Sequence, residues 1–510
     1  MNHTFLSRRH FLGSTLGWLG STGLGLTQSG AETESISIFH TTDLHGNIVP
    51  TTDYDGNGNL GGFARCAGFI REGRRNFPKS LVVDIGDVYQ GTAESLSNQG
   101  RLMIGLFNQM GYDAWTLGNH DFDWGREALE GNLGVSNSPI LTGNIEVGGK
   151  SPRSVGGVWE KVVPWVIKEV GGFKIALIGL VTPGLPYWLS PETLAGISVQ
   201  DPVISLQKSV DQAKAAGANA IVVTAHMGYR PKDDFGNPMG SMLKGVKGID
   251  VLLGGHTHQS HPSRSIGEVL YSQSSYFGIH CGRVELVFDR NSRKLIGKSA
   301  RTTLMDSSFE LDPGVMNTAQ PELKKAEEQL ARKVGTVTKG ISGKGRGNRL
   351  VNLFCECFAE SLARIGHPVD GVFHGTFGTG DLEPGELTVA DCWKMLPYEN
   401  LLSTAELTAK ELIEIVREDS GERNSDRTLW PFDLKLSRDG TATQFTFKGE
   451  PVAPDRRFVI GLNSYDAQSG GRRLMKLREI VGQPGAKRTV TSIDTRSSLI
   501  EGLLNRGNIS

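Results

Sequence analysis

Cysteine is scarce in this sequence: Cys66, Cys281, Cys355, Cys357 and Cys392 are five residues in a chain of 510. An odd, scattered set without a paired CxxC motif excludes a zinc ribbon and offers no disulfide framework, so these residues read as small apolar packing groups. Net charge is also nearly absent. Lys plus Arg number 54 and Asp plus Glu 55, which leaves −1, and a nucleic acid is not an expected partner because backbone binding needs clustered positive charge. There is no run of 18 or more apolar residues, so no membrane span is expected. What remains is an ordinary composition rich in turns, with 66 glycines and 38% apolar residues, long enough for two to four domains at roughly 150 residues each. The twelve histidines are its unusual feature.

The first 31 residues read as an export segment. Ser7-Arg8-Arg9-His10-Phe11-Leu12 places twin arginines before Gly13–Leu26, a mildly apolar run too short and too polar for a span. It resembles the bacterial twin-arginine signal, which implies the export machinery as a partner and a periplasmic or extracellular location. From residue 32 to about 305, short Val, Ile and Leu runs alternate with helix-length amphipathic stretches. The runs are Ile36–Phe39, Leu81–Ile85, Ala114–Leu117, Ile140–Leu141, Ile175–Val181, Ile221–Thr224, Val251–Leu253 and Val269–Tyr271, and they read as buried strands of an α/β domain. Gln320–Val334 has helical spacing and marks a connecting helix within a linker at 306–335. A smaller α+β domain is expected over 336–510, with a helix at Leu407–Glu418.

Ligand-type side chains stand at the carboxyl ends of those strands. Asp43-Leu44-His45 follows the first, Gly86-Asp87 the second, Gly118-Asn119-His120-Asp121 the third, His226 the Ile221 run, and Gly255-His256-Thr257-His258 the Val251 run. Open α/β sheets bind ligands just there. Two metal ions about 3.5–4 Å apart need a bridging carboxylate and flanking N and O donors, and Asp, Asn and His together suit ions such as Zn²⁺ or Mn²⁺ better than calcium. Asp43 and His45 can share one ion, Asp87 can bridge, Asn119 and His226 can serve the second, and His256 and His258 can close both. Two other motifs carry less. Gly56–Gly61 fits G-x-G-x-x-G but follows no strand. Asp53, Asp55 and Asn57 start like a calcium loop, but Ala64 stands where the closing glutamate belongs, so a turn is expected.

The order D-x-H, G-D, G-N-H-D, H, G-H-x-H resembles the calcineurin-like metallophosphoesterases. The flanking text Phe39–Asn47, Asp84–Thr92, Thr116–Trp124 and Leu253–His258 narrows this to the exported 5′-nucleotidase and UDP-sugar hydrolase family. The resemblance implies a four-layer αββα sandwich and two divalent ions. It places Asp43, His45, Asp87 and His258 on one ion, and Asp87, Asn119, His226 and His256 on the other. It makes His120 and Asp123 the catalytic pair, a reading that chemistry supports independently, since a cationic imidazole held by a carboxylate can stabilise developing charge. It implies hydrolysis of a small phosphoester, a nucleotide foremost.

The same resemblance makes the second domain the one that recognises substrate, and there the text departs from the family. Val372–Leu387 stands at the N-G-G-x-x-R loop, but His374 replaces the Asn, Thr376 a Gly, and no Arg follows. Leu396-Pro397-Tyr398 and Asn463–Gly471 supply Tyr398 and Tyr465 as a candidate aromatic pair, although both could equally be core tyrosines. Lys344, Arg346 and Arg349 stand where the family brings cations to substrate. With recognition altered, a thiosulfohydrolase of sulfur oxidation is the rival enzyme, and a decayed binding protein the rival without catalysis. The complete ligand set disfavours the latter.

Overall fold

The computed structural model describes residues 32–376, 380–422 and 425–510; the twin-arginine segment lies outside them, as do residues 377–379 of the altered loop. Every apolar run named above coincides with a strand, although Leu81–Ile85, Ala114–Leu117 and Ile175–Val181 each reach one residue past its end. Residues 33–41, 80–84, 114–116, 140–141 and 162–163 run parallel in one sheet, extended by an antiparallel pair, His280–Asp289 and Leu295–Leu304. Residues 173–180, 220–225, 251–254 and 269–274 run parallel in a second sheet, with antiparallel strands at both edges.

Alternate side chains of each strand point to opposite faces, and here both faces are apolar. Ile36, Ile38, Leu81 and Val83 of the first sheet meet Ile175, Leu177, Val222 and Leu253 of the second in one buried layer between them. The outward residues Phe39, Val82 and Trp115 pack under the helices Phe63–Asn76 and Arg101–Met110. Ile178, Val223 and Leu252 pack under Pro202–Ala215 and Met239–Gly245. The result is the four-layer αββα sandwich. Burial on both faces explains why these strands read as continuous apolar runs rather than as alternating ones.

The connecting helix is Pro313–Leu330, with the Asp312 side chain accepting from the Val315 N–H and Pro313 at the first position. It starts seven residues before the expected Gln320 and holds Pro321 inside it. Lys333–Val337 is already a strand. In the second domain, Leu401–Thr408 is a strand and the helix runs Ala409–Ser420. The boundary signal was present: Thr408 and Glu411 form a reciprocal capping box. The central sheet here has the order 428–430, 371–374, 457–463, 401–408, 489–494. All five cysteines are free and buried. Among the described residues, no helix is long and apolar enough to cross a membrane.

Candidate metal centre and substrate cavity

Five loops leave the carboxyl ends of strands in both sheets and converge. Three of them are bent by left-handed residues that are not glycine: Asp43 (φ 50°) and His45 (φ 49°) on the first, Asp87 (φ 55°) on the second, and His256 (φ 69°) and His258 (φ 55°) on the last. Such conformations cost of order 1–3 kcal/mol each and persist where the surroundings impose them, typically at functional sites. The imposing contacts are visible. Asp121 is buried and accepts from the N–H groups of Asp87 (3.0 Å), Val88 (2.9 Å) and Gly118 (2.8 Å), tying two ligand loops together. A Cβ on Gly118 would lie 2.1 Å from Asp87 Oδ1, so no larger residue fits there. Asp43 accepts from the His256 N–H (2.9 Å) and from Thr42 Oγ1 (2.6 Å).

The ligand atoms form two groups that share Asp87. Those of Asp43, His45, Asp87 and His258 lie within 4.8 Å of one another, as do those of Asp87, His226 and His256. Asn119 is buried, and its Oδ1 has no hydrogen-bond partner. Two further details fit a cation. His226 Nδ1 donates to the Ile85 carbonyl (2.7 Å), which turns the buried Nε2 into the cluster, 3.0 Å from Asp87 Oδ2. His45 Nδ1 likewise donates to the Gln90 carbonyl (2.8 Å), which turns its Nε2 lone pair inward. Burial would push His226 down, but Asp87 and Asp43 lift it to about 9, a demand for positive charge that a divalent ion meets. The structure thus brings together Asp43, His45, Asp87, His226, His256 and His258, with Asn119 on the loop whose His120 N–H donates to Asp87.

His120 stands beside this cluster, its Nδ1 2.7 Å from Asp123 Oδ2, and its backbone N–H donates to Asp87 Oδ1 (2.8 Å). Burial opposes its charge, yet the carboxylates of Asp123 and Asp87 hold it at about 10. His120, Asp123, Asn119 and His256 open into a cavity of about 900 Å³ between the domains, whose other wall includes Tyr398 and Tyr465. Tyr398 stacks on His120, centroids 5.4 Å apart and planes within 8°.

The basic residues fall elsewhere. Arg346 is engaged by buried Asp419, Arg349 by Glu356 (2.9 Å) and Lys344 by Asp381 (2.9 Å), and none of them lines the cavity. The arginines on its wall are Arg427, paired with Asp466 (2.7 Å), and Arg473, which donates to Tyr465 Oη (2.9 Å). His374 is fully buried, 2.9 Å from Asn463 Nδ2 through its Nδ1, and is not a cavity residue.

Besides Arg427 and Arg473, sequence reasoning missed Trp188 and Glu399. Trp188 lines the cavity with its ring 5.0 Å from that of His256. Glu399 accepts from Gln90 Nε2 (3.3 Å) and Trp124 Nε1 (3.2 Å) of the first domain and from Arg496 of the second. Its position beside Tyr398 was the only signal.

Comparison with known proteins agrees with this geometry. Residues 36–260 match the calcineurin-like phosphoesterase family, and residues 333–479 match the 5′-nucleotidase C-terminal domain. A snake venom 5′-nucleotidase from Gloydius brevicauda is 29% identical over 366 residues, 65% of this chain and 59% of that protein. The chain spans 59–66% of the length of the first curated relatives it matches. Among solved structures, a putative 5′-nucleotidase from Staphylococcus aureus superposes with a TM-score of 0.75 at 20% identity, covering 92% of this chain and 97% of the other. A sulfate thiohydrolase from Thermus thermophilus superposes with a TM-score of 0.62 at 18% identity, covering 93% and 94%; at these identities the likeness is one of fold. The two matched domains, in this order and around this ligand cluster, establish that the chain belongs to the calcineurin-like phosphoesterases that carry a 5′-nucleotidase C-terminal domain.

Proposed function

We propose that this protein is an exported hydrolase that uses two divalent ions to release phosphate from nucleotides. The observation that carries this reading is the shared carboxylate: Asp87 belongs to both ligand groups, and the cluster opens beside His120 into a cavity walled by tyrosines. Asp43, His45, Asp87 and His258 would hold one ion, and Asp87, Asn119, His226 and His256 the other. Bound ions of this kind supply Lewis acidity toward phosphoryl oxygens and make water a nucleophile near neutral pH. The protein's own part is to hold the phosphoryl group against His120. With Nδ1 committed to Asp123, His120 keeps Nε2 as the donor to negative charge growing on the transferred group or leaving oxygen. Tyr398 and Tyr465 offer flat faces for a base. A hydrolysis screen that follows phosphate release from nucleoside monophosphates and sugar nucleotides, and sulfate release from thiosulfonates, tests this reading. Release from nucleotides is expected, whereas turnover confined to thiosulfonate substrates would select the rival chemistry suggested by the altered loop.

The export part of the proposal rests on Arg8-Arg9-His10-Phe11-Leu12. A receptor reads twin arginines rather than hydrophobicity alone. Replacing both with lysine should therefore leave the precursor in the cytoplasm, measured by fractionation. Unchanged export would assign the general secretory route.

A further inference from the structure

The loop that looked like the start of a calcium site has its own bonding complete. Asp53 Oδ1 accepts from the N–H groups of Asp55 (3.0 Å) and Asn57 (2.7 Å), and Oδ2 from Asn57 Nδ2 (2.9 Å), while Thr51 and Leu60 close the loop as a backbone bridge. This self-contained turn carries Tyr54. The Tyr54 hydroxyl lies 2.7 Å from His258 Nδ1. Its ring is stacked on Tyr276 at 4.3 Å, its backbone N–H donates to Tyr276 Oη (3.0 Å), and the Tyr276 ring lies over His258 at 5.2 Å and 17°. Phe277, whose N–H donates to the Asp43 carbonyl (2.7 Å), stands edge-on to His45. Tyr54 is nevertheless 66% exposed, so the core does not require it.

We infer that Tyr54 is a positioning residue for His258, accepting the Nδ1 proton so that Nε2 is presented as a ligand. The Nε2 atom is the one turned inward, 3.4 Å from Asp43 Oδ1 and 3.1 Å from His45 Nε2. An imidazole that ligates through Nε2 must carry its proton on Nδ1, and the partner of that proton sets ring orientation and donor strength. His45 and His226 are each oriented by a backbone carbonyl, whereas His258, which belongs to one ligand group only, is oriented by a side chain on an exposed loop. The effect of Tyr54 is therefore confined to the ion shared by Asp43, His45, Asp87 and His258. This inference rests on the dinuclear reading above.

The test is a chelator-competition titration of metal-free full-length protein with Zn²⁺, read as two successive binding steps, together with the visible absorption spectrum of the Co²⁺-loaded protein. For Tyr54→Phe, one step should weaken about 10–100-fold, the usual cost of removing such an outer partner. The other step and the metal-free unfolding midpoint should hold, and the Co²⁺ spectrum should change. Tyr276→Phe, which leaves the stack but removes the acceptor of the Tyr54 N–H, should shift the same step by less. Two unchanged steps in Tyr54→Phe would overturn the inference while leaving the dinuclear reading intact. Equal weakening of both steps with a lowered unfolding midpoint would overturn it in favour of a general structural role. Wild-type protein that binds no ion would overturn the dinuclear reading and this inference with it.

Discussion

Asp87→Ala should strip both ions and abolish phosphate release. Asp87 is the one side chain common to both ligand groups, so its loss removes negative charge from each ion at once. It is fully buried, and although burial disfavours its ionised form, His226, His120 and His45 hold it well below the usual carboxylate range. Without it, His226 and two cations would face one another with Asp43 as the remaining carboxylate of the two ligand groups. The fall in activity should exceed the ~10²–10³-fold that follows deletion of a single transition-state donor, and metal content by elemental analysis should drop for both ions together. Asp87→Asn provides the control for folding, because it keeps an oxygen to accept the His120 backbone N–H (2.8 Å) while losing the charge. It too should lose the metals. Retention of a full metal complement by both variants would contradict the shared-carboxylate assignment.

His120→Asn should do the opposite: keep both ions and lose turnover. His120 belongs to neither ligand group, and its ring is held at Nδ1 by Asp123. Its contribution is a proton donor placed where charge develops, and such groups are worth on the order of 10²–10⁴-fold. Because the interaction strengthens toward the transition state, the loss should fall on kcat more than on KM. Tyr398→Ala provides the contrast. Tyr398 covers one face of His120 and lines the cavity, so its removal should chiefly raise KM for substrates with an aromatic base and leave metal content unchanged. Loss of one ion in His120→Asn, or intact turnover, would show that the His120–Asp123 pair has another role.

The parts of this protein that could be read in its sequence are those where local chemistry and global packing demand the same residues. The strands of the sandwich are buried on both faces, so each appears as an uninterrupted Val, Ile and Leu run. The candidate ligands follow strand ends directly, so the convergence of Asp43, Asp87, His226 and His256 was legible from their order. Helix limits were less legible: the helical spacing seen from Gln320 to Val334 belongs to a helix that runs Pro313–Leu330. The cavity wall was the least legible part. Arg346 and Arg349 look like anion binders in one dimension, but Asp419 and Glu356 engage them in the fold. Arg427, Arg473, Trp188 and Glu399 acquire their positions only through tertiary contacts between segments far apart in the chain. Tyr54 reaches His258 across 204 positions, a pairing that no local motif encodes.

The function proposed for this cluster requires bound metal. Metal-free protein should be titrated with Zn²⁺ or Mn²⁺ while inorganic phosphate released from a nucleoside 5′-monophosphate is followed. The expected result is no release at the start and a rise that saturates at two ions per chain, with His120→Asn binding the same two ions in silence. Full phosphate release in the presence of excess chelator, or saturation with Asp87→Ala as with wild type, would contradict it.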